Sequence, residues 1–325
     1  MRTFALLHID TTPKHYNRIN HSISNIYSKQ TNTMKRISLL LIALVAVASV
    51  NAQLLWKISG NGLQKPSYLF GTHHIAPISV IESTPGLTDA LNNADMLYGE
   101  VDMSVLSDPS VQMQMGMATM APQDSTLSKV MSQADMDALT KMLTELNAPV
   151  TPAMIEPLKP SAISNLLTLL ISTKEFPDFD QTKQLDATLQ AMATEKGKPV
   201  KGLETIQSQV DLLFNSPISE QAKSLHETLA DPEKAAHMAH LMADAYMSGK
   251  LNELERLMTD PESGMTAEES ERLITRRNSA WVDVLIGILP TASVIAVVGA
   301  GHLPGEKGLI SLLRAKGYDV TPVEK

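Results

Sequence analysis

The run SVIAVVGA at residues 293–300 carries no polar alternation, the pattern of a strand buried on both faces of a sheet. It comes late in the chain, whereas WKISG (56–60), PSYLFGT (66–72) and DMLYGEVD (95–102), which share its branched and aromatic content, come early. KPVKGLE (198–204) and DVTPV (319–323) complete the strand signals. Between them the apolar spacing is helical, as in LSKVMSQADMDALTKMLTEL (127–146) and PSAISNLLTLLIS (160–172), and again from Ile206 to Leu289. This order predicts an α/β fold: a central mixed sheet made by the N- and C-terminal segments, with a large helical insertion. No tandem repeat of solenoid length is present.

With 325 residues, 43% of them hydrophobic, the chain is long enough for a sizeable core. Cysteine is absent, which excludes disulfides, thiolate metal sites and thiol catalysis. A metal held here would need His, Asp, Glu or backbone oxygen.

The first 52 residues do not read as fold. From Met34, MKRISLLLIALVAVASVNAQ has a basic start, an apolar run over 37–50 and small residues before Gln53, the pattern of a secretory signal cleaved after Ala52. The run is shorter than the roughly 20 residues of a membrane span. Residues 1–33, polar and aperiodic, would set that signal far inside the chain, so Met34 is the expected start. The expected organisation is an extension over 1–33, a signal over 34–52 and a single domain over 53–325. Removing the leader takes six of 27 basic residues and one of 35 acids, leaving 21 against 34 and a net charge of −13. That balance disfavours nucleic acid and anionic membrane as partners.

Six histidines then remain, and two sites stand out among them. Gly71-Thr72-His73-His74 and Gly299-Ala300-Gly301-His302 both read as a strand followed by Gly-x-x-His. Carboxyl ends of strands form the ligand crevice of α/β sheets, and glycine there is expected to let the backbone turn and aim the next side chain inward. One such motif is common by chance; two at matching strand ends favour a shared site. A dinucleotide fingerprint starting at Gly299 fails, because Pro304 stands where glycine or alanine is required and only 24 residues follow Gly301.

Carboxylates accompany the histidines. Glu100 and Asp102, two apart in YGEVD, are expected on one face of a strand that neighbours YLFGTHH. Such a carboxylate could ligate metal or activate water, or simply face solvent. Glu204 ends the GLE strand at the same topological position, where it could also cap the next helix. Other features point to packing or surface. His237 and His240 are three apart on a helix and could chelate a surface metal, but read first as a solvated or half-buried helix face. The methionines of VQMQMGMATM (111–120) could line an adaptable peptide groove, but read first as fillers of apolar gaps. DFDQTKQLD (178–186) lacks the glycine and terminal glutamate of a calcium loop.

Together, LFGTHH, ADMLYGEVD, LDATLQAMATEKGKPVKGLETIQSQ, RRN (276–278) and VVGAGHLPGEKGLISLLRAKGYDVTPV resemble the TraB/GumN family, in the expected order. That family includes the Tiki proteins, metal-dependent peptidases that trim the amino terminus of Wnt. The resemblance implies an EreA/ChaN-like α/β fold. It places His74, His302 and Glu100 on a divalent metal, with Arg277 and Glu204 as catalytic residues and His73 at a variable position. Manganese or cobalt is implied, and the ligand types also admit zinc. Such a centre would lower the pKa of bound water to roughly 7, with Arg277 facing an oxyanion or a substrate carboxylate. The expected protein is therefore a periplasmic or secreted metal-dependent hydrolase acting on peptide or protein, without a stable membrane anchor after cleavage. The second class is a non-catalytic periplasmic binding protein that holds a peptide, porphyrin or metal in the same cleft.

Overall fold

The computed structural model describes residues 54–260 and 265–323. The leader, its signal pattern and the proposed cleavage point lie outside the described residues. Six strands form one mixed sheet: β1 (Leu55–Gly60), β2 (Ser67–Thr72), β3 (Met96–Gly99), β4 (Val200–Gly202), β5 (Val294–Gly299) and β6 (Tyr318–Pro322). Their order across the sheet is β4-β3-β5-β2-β1-β6. β1 is antiparallel to both β2 and β6, whereas β2, β5, β3 and β4 run parallel to one another. Early and late segments thus share one sheet, as the strand signals predict.

One expected neighbour relation is corrected. β3 does not adjoin β2, because β5 lies between them and pairs with both. The physical reason is burial: Val294 to Val298 are all buried, and only a central strand covered on both faces accommodates such a run. The third strand is also shorter than DMLYGEVD suggests, ending at Gly99. Beyond it the chain leaves the sheet, and the Asp102 carboxylate caps the following 3₁₀ turn by accepting from Ser104 N at 2.9 Å. Glu100 and Asp102 therefore do not share a strand face.

The longer helices are α1 (Leu87–Asn93), α2 (Pro109–Ala118), α3 (Gln133–Glu145), α4 (Pro160–Glu175), α5 (Leu185–Glu195), α6 (Ile206–Phe214), α7 (Ile218–Ala230), α8 (Pro232–Met247), α9 (Leu251–Thr259), α10 (Arg276–Ile288) and α11 (Leu309–Ala315). Two apolar clusters result. The larger surrounds the sheet and includes Leu69, Phe70, Leu97, Val297, Leu189, Tyr246 and Trp281. The second lies within the helical insertion, where Leu139, Leu143, Ile163, Leu167, Leu225 and Leu229 of α3, α4 and α7 meet. Ser132 opens α3 with a reciprocal cap: its side chain accepts from Asp135 N, and Asp135 accepts from Ser132 N.

The methionine-rich stretch is a second correction. It forms α2, which buries none of its residues; Met113 and Met117 are 65% and 69% exposed. Gln114 of α2 donates to Gln207 of α6, a polar contact at the edge of the body rather than a core contact. The His237 and His240 pair lies on α8, where His237 is exposed and the His240 ring packs 4.7 Å from that of Phe176. No described helix is long and apolar enough to cross a membrane.

Candidate functional site

Four parallel strands end along one edge of the sheet, and each carries a predicted site residue just beyond its end. Thr72 of β2 stands opposite Gly299 of β5, Gly99 of β3 opposite Val297 of β5, and Gly99 opposite Gly202 of β4. His73 and His74 follow β2, Glu100 follows β3, Glu204 follows β4, and His302 ends the short turn after β5. Both Gly-x-x-His motifs are thereby brought to one edge from neighbouring strands.

The motif glycines work differently from expectation. None of Gly71, Gly299 and Gly301 adopts a left-handed conformation. Gly71 is required by closeness: a Cβ there would stand 3.0 Å from Ala300 Cα and 2.9 Å from Leu303 Cδ1. The turn carrying His302 can lie against β2 only because residue 71 has no side chain. Gly202 does the same between β4 and β3, where a Cβ would meet Glu204 O at 2.5 Å and Val101 Cα at 3.0 Å. That proximity sets Glu204 beside Glu100, whose carbonyl accepts from Glu204 N at 2.9 Å.

Arg277 joins the strand ends into one network. A π-helical turn over Glu271–Thr275 leads into α10 and brings the guanidinium of its second residue over the edge. All five N–H donors are engaged. Nε donates to Glu204 Oε2 (3.2 Å), Nη2 to Glu204 Oε1 (2.7 Å) and Glu100 Oε2 (2.5 Å), and Nη1 to Leu273 O (3.0 Å) and His302 Nε2 (3.0 Å). The group also lies 4.6 Å over the Trp281 ring. In this arrangement it has no donor left for a substrate, and both Glu204 oxygens serve as its counter-ion.

Glu100 is equally committed. Its Oε1 accepts from Gly299 N at 2.8 Å, and its Oε2 accepts from Gln209 Nε2 at 3.2 Å as well as from Arg277. Burial pushes its pKa up, but His302, Arg277 and these hydrogen bonds outweigh that and hold it below the usual glutamate range. The residue is a carboxylate at neutral pH.

His302 is buried and neutral. Asn278, wholly buried, donates to the His302 carbonyl at 3.1 Å and to Lys307 O at 2.8 Å, so its Oδ1 accepts from His302 Nδ1–H at 2.7 Å. Nε2 is thus the bare nitrogen, and it faces the Arg277 donor. Burial lowers the His302 pKa from 6.5 to about 4, with Arg277 and His74 adding to the fall against the opposing pull of Glu100. The Trp281 ring lies 4.4 Å from the imidazole.

The β2 side of the edge is less satisfied. His74 is exposed, whereas His73 packs 5.3 Å from the Tyr246 ring, and its Nδ1 is buried without a partner. Burial, then the charge of His74, lowers the His73 pKa from 6.5 to about 4. Asp186, the second residue of α5, accepts from Thr72 Oγ1 at 3.0 Å through Oδ1. Its Oδ2 is shut from solvent and has no partner. Burial raises the Asp186 pKa; the charge of Glu100 adds to this and that of His74 opposes it.

The edge therefore assembles His302, Glu100, Glu204 and Arg277 in direct contact, with His74 within electrostatic reach of His302 and Asp186. Asp102 stays outside as a turn cap. The sequence reading gave Asn278 no role beyond its place in the RRN motif, and singled out neither Trp281 nor Asp186. Asp186 lies in DFDQTKQLD, weighed as a calcium loop, and stands at the start of the LDATLQ stretch of the family resemblance, but an acid in a first helical turn looks like any helix-dipole partner. Among the described residues, no three His, Asp or Glu side chains already surround a point suited to a metal ion.

The sequence model of the TraB/PrgY/gumN family matches residues 54–322, and the chain belongs to that family. The match begins at the residue before β1 and ends on the last residue of β6, so it takes in every strand that builds the edge. No curated protein and no solved structure matches the chain.

Proposed function

We propose that the protein is an exported, metal-dependent hydrolase that cleaves peptides at the carboxyl edge of its sheet. The observation that carries this reading is the convergence of two imidazoles and two carboxylates on the ends of four adjacent parallel strands, the position where α/β sheets bind ligands. The donor chemistry fits a divalent ion. His302 has its Nδ1–H fixed by Asn278, the tautomer a metal-ligating Nε2 needs. His74 is open to solvent, Glu100 is ionised, and Asp186 has an oxygen without a donor. His74, His302 and Glu100 would hold the ion, with the Nε2 bond to it replacing the present hydrogen bond from Arg277. A bound ion would supply Lewis acidity and a water that ionises near neutral pH.

The chain's own groups orient that chemistry. Arg277 holds Glu100 and His302 in register, and Glu204 anchors Arg277 through two hydrogen bonds, so both act as positioning residues. Trp281 covers the guanidinium and the imidazole, which keeps water from the inner side of the network. The tight packing of the edge behind His302 leaves the exposed His74 as the side from which an extended peptide approaches.

The test is hydrolysis of a peptide library by chelator-treated protein titrated with Mn²⁺, Co²⁺ or Zn²⁺, with His302→Ala as control. Cleavage that returns at one ion per chain and is absent from the control supports the reading. Wild-type protein that binds no divalent ion overturns it, and ion-dependent peptide binding without turnover assigns the protein to the binding class.

A further inference from the structure

Resting on that reading of the edge as a divalent-ion site, we infer that Asp186 is a further ligand, contributing Oδ2 from the α5 side. Every other carboxylate oxygen at the edge already has a donor: Glu100 has Gly299 N, Gln209 and Arg277, and Glu204 has Arg277 on both oxygens. Asp186 Oδ2 alone is buried without one. A buried carboxylate oxygen left unsatisfied is unfavourable by about 1–3 kcal/mol or more, and a bound cation is one way to remove that cost.

Among the described residues none donates a hydrogen bond to Oδ2. Thr72 Oγ1 is already bonded to Oδ1, and the nearby Tyr246 hydroxyl donates to Gly71 O at 3.1 Å. The groups that act on the Asp186 charge are His74, Glu100 and Tyr246, an imidazole, an anion and a neutral phenol. Thr72 fixes the carboxylate, as outer hydrogen bonds fix the ligands of metal centres, and does so from the residue two before His74. One short segment thus aims an imidazole and, through its threonine, a carboxylate. Of the two, His74 is open to solvent and Asp186 Oδ2 is shut from it.

The site then has a satisfied half, Glu100 and His302 bridged by Arg277, and an unsatisfied half, His74 and Asp186. A divalent ion entering beside His74 gains a full negative charge from Asp186 without breaking any hydrogen bond there. Asparagine at 186 would keep the shape and the Thr72 bond and lose that charge.

Asp186→Asn and Asp186→Ala are to be compared with wild type by Co²⁺ and Mn²⁺ titration calorimetry, by the visible spectrum of the Co²⁺ form, and by thermal unfolding with and without ion. Both variants should bind Co²⁺ at least about 10–100-fold more weakly, with a changed visible spectrum. Without ion, Asp186→Asn should unfold at the same or a higher temperature than wild type, because an unpaired buried charge is gone. Its upward shift on adding ion should be much smaller. A merely structural Asp186 would instead lower the ion-free unfolding temperature and leave affinity and spectrum intact, and that result overturns the inference. If wild type binds ion while the variants match it, only the role of Asp186 fails. If wild type binds none, the metal-dependent reading fails with it. If wild type binds ion but cleaves nothing, the ligand role stands and the hydrolase reading fails.

Discussion

Asn278 grips His302 at both ends, accepting from its Nδ1–H at 2.7 Å while donating to its backbone carbonyl at 3.1 Å. A third bond from the same amide, to Lys307 O at 2.8 Å, ties the loop after the histidine into the same buried point. Ring, backbone and loop of the second Gly-x-x-His motif thus depend on one side chain of α10.

Replacing Asn278 with alanine should therefore affect stability and chemistry together. The buried His302 carbonyl and Nδ1–H and the less buried Lys307 carbonyl lose their partner, at about 2–4 kcal/mol in total. Free of its lock, the imidazole can present either nitrogen, and affinity for a divalent ion should fall about 10–100-fold. Urea unfolding and calorimetric ion titration measure the two effects; an unchanged ion affinity would show that the lock has no bearing on the site.

Arg277→Lys should not be conservative. A lysine has three donors and no planar fork, so it cannot serve Glu204, Glu100, His302 and Leu273 at once. Two largely buried carboxylates lose part of their compensation, with a stability loss of about 2–4 kcal/mol. Peptide hydrolysis should fall by at least about 10²-fold. Pairing Arg277→Met with Glu204→Leu should restore much of the stability and none of the activity. Recovery of both would remove Arg277 from the mechanism.

Acid should weaken the ion-free protein before its carboxylates titrate. His73 and His302 have folded pKa values of about 4 against 6.5 when unfolded. Between those values the unfolded chain binds protons that the folded chain does not, so stability is complete above about 6.5 and declines as pH falls toward 4. Each histidine contributes up to about 3 kcal/mol to that decline. His73→Phe keeps an aromatic ring against Tyr246 and removes one titration, so its stability should change less between pH 7 and 4.5. Equal slopes for the variant and wild type would contradict the assignment.

Gly71→Ala should destabilise by about 1–3 kcal/mol, because its methyl group would press on the backbone of Ala300. Gly116→Ala is the matched control. It lies within α2 with nothing in reach of an added Cβ, and alanine there should stabilise by about 0.4–1 kcal/mol. Denaturant midpoints of the two variants should move in opposite directions.

Expression from Met34 should yield a mature chain beginning at Gln53 in the periplasm or medium. Amino-terminal sequencing decides this, and a mature protein that retains residues 1–33 would refute both the start site and the signal.

Much of the scaffold was legible because its signals are local. PSYLFGT and SVIAVVGA have strand composition along their whole length, and β2 and β5 fall within them. The two motifs could be paired because each follows such a strand. Strand order was less legible: adjacency in sequence suggested β2 beside β3, although the unbroken apolar run at 294–298 already required a central place for β5. The role of Asn278, visible only as the last residue of RRN, was not legible, since an amide inside a helical pattern looks alike whether it faces water or locks a histidine. The same holds for Asp186, whose distinction is an oxygen lacking a partner, a property that exists only once Thr72 and α5 have come together.

The central position of β5 has a consequence for biosynthesis. β2 and β3 are completed by residue 99, yet neither pairs with the other; each is hydrogen-bonded to a strand that begins at Val294. While the ribosome is adding the intervening helices, the nascent chain has no middle to its sheet, and the edge with its histidines and carboxylates does not yet exist. Assembly waits for the last tenth of the polypeptide. Until that late segment is available, one side of β2 and one side of β3 have no strand to pair with, so the sheet closes only when the two ends of the chain meet.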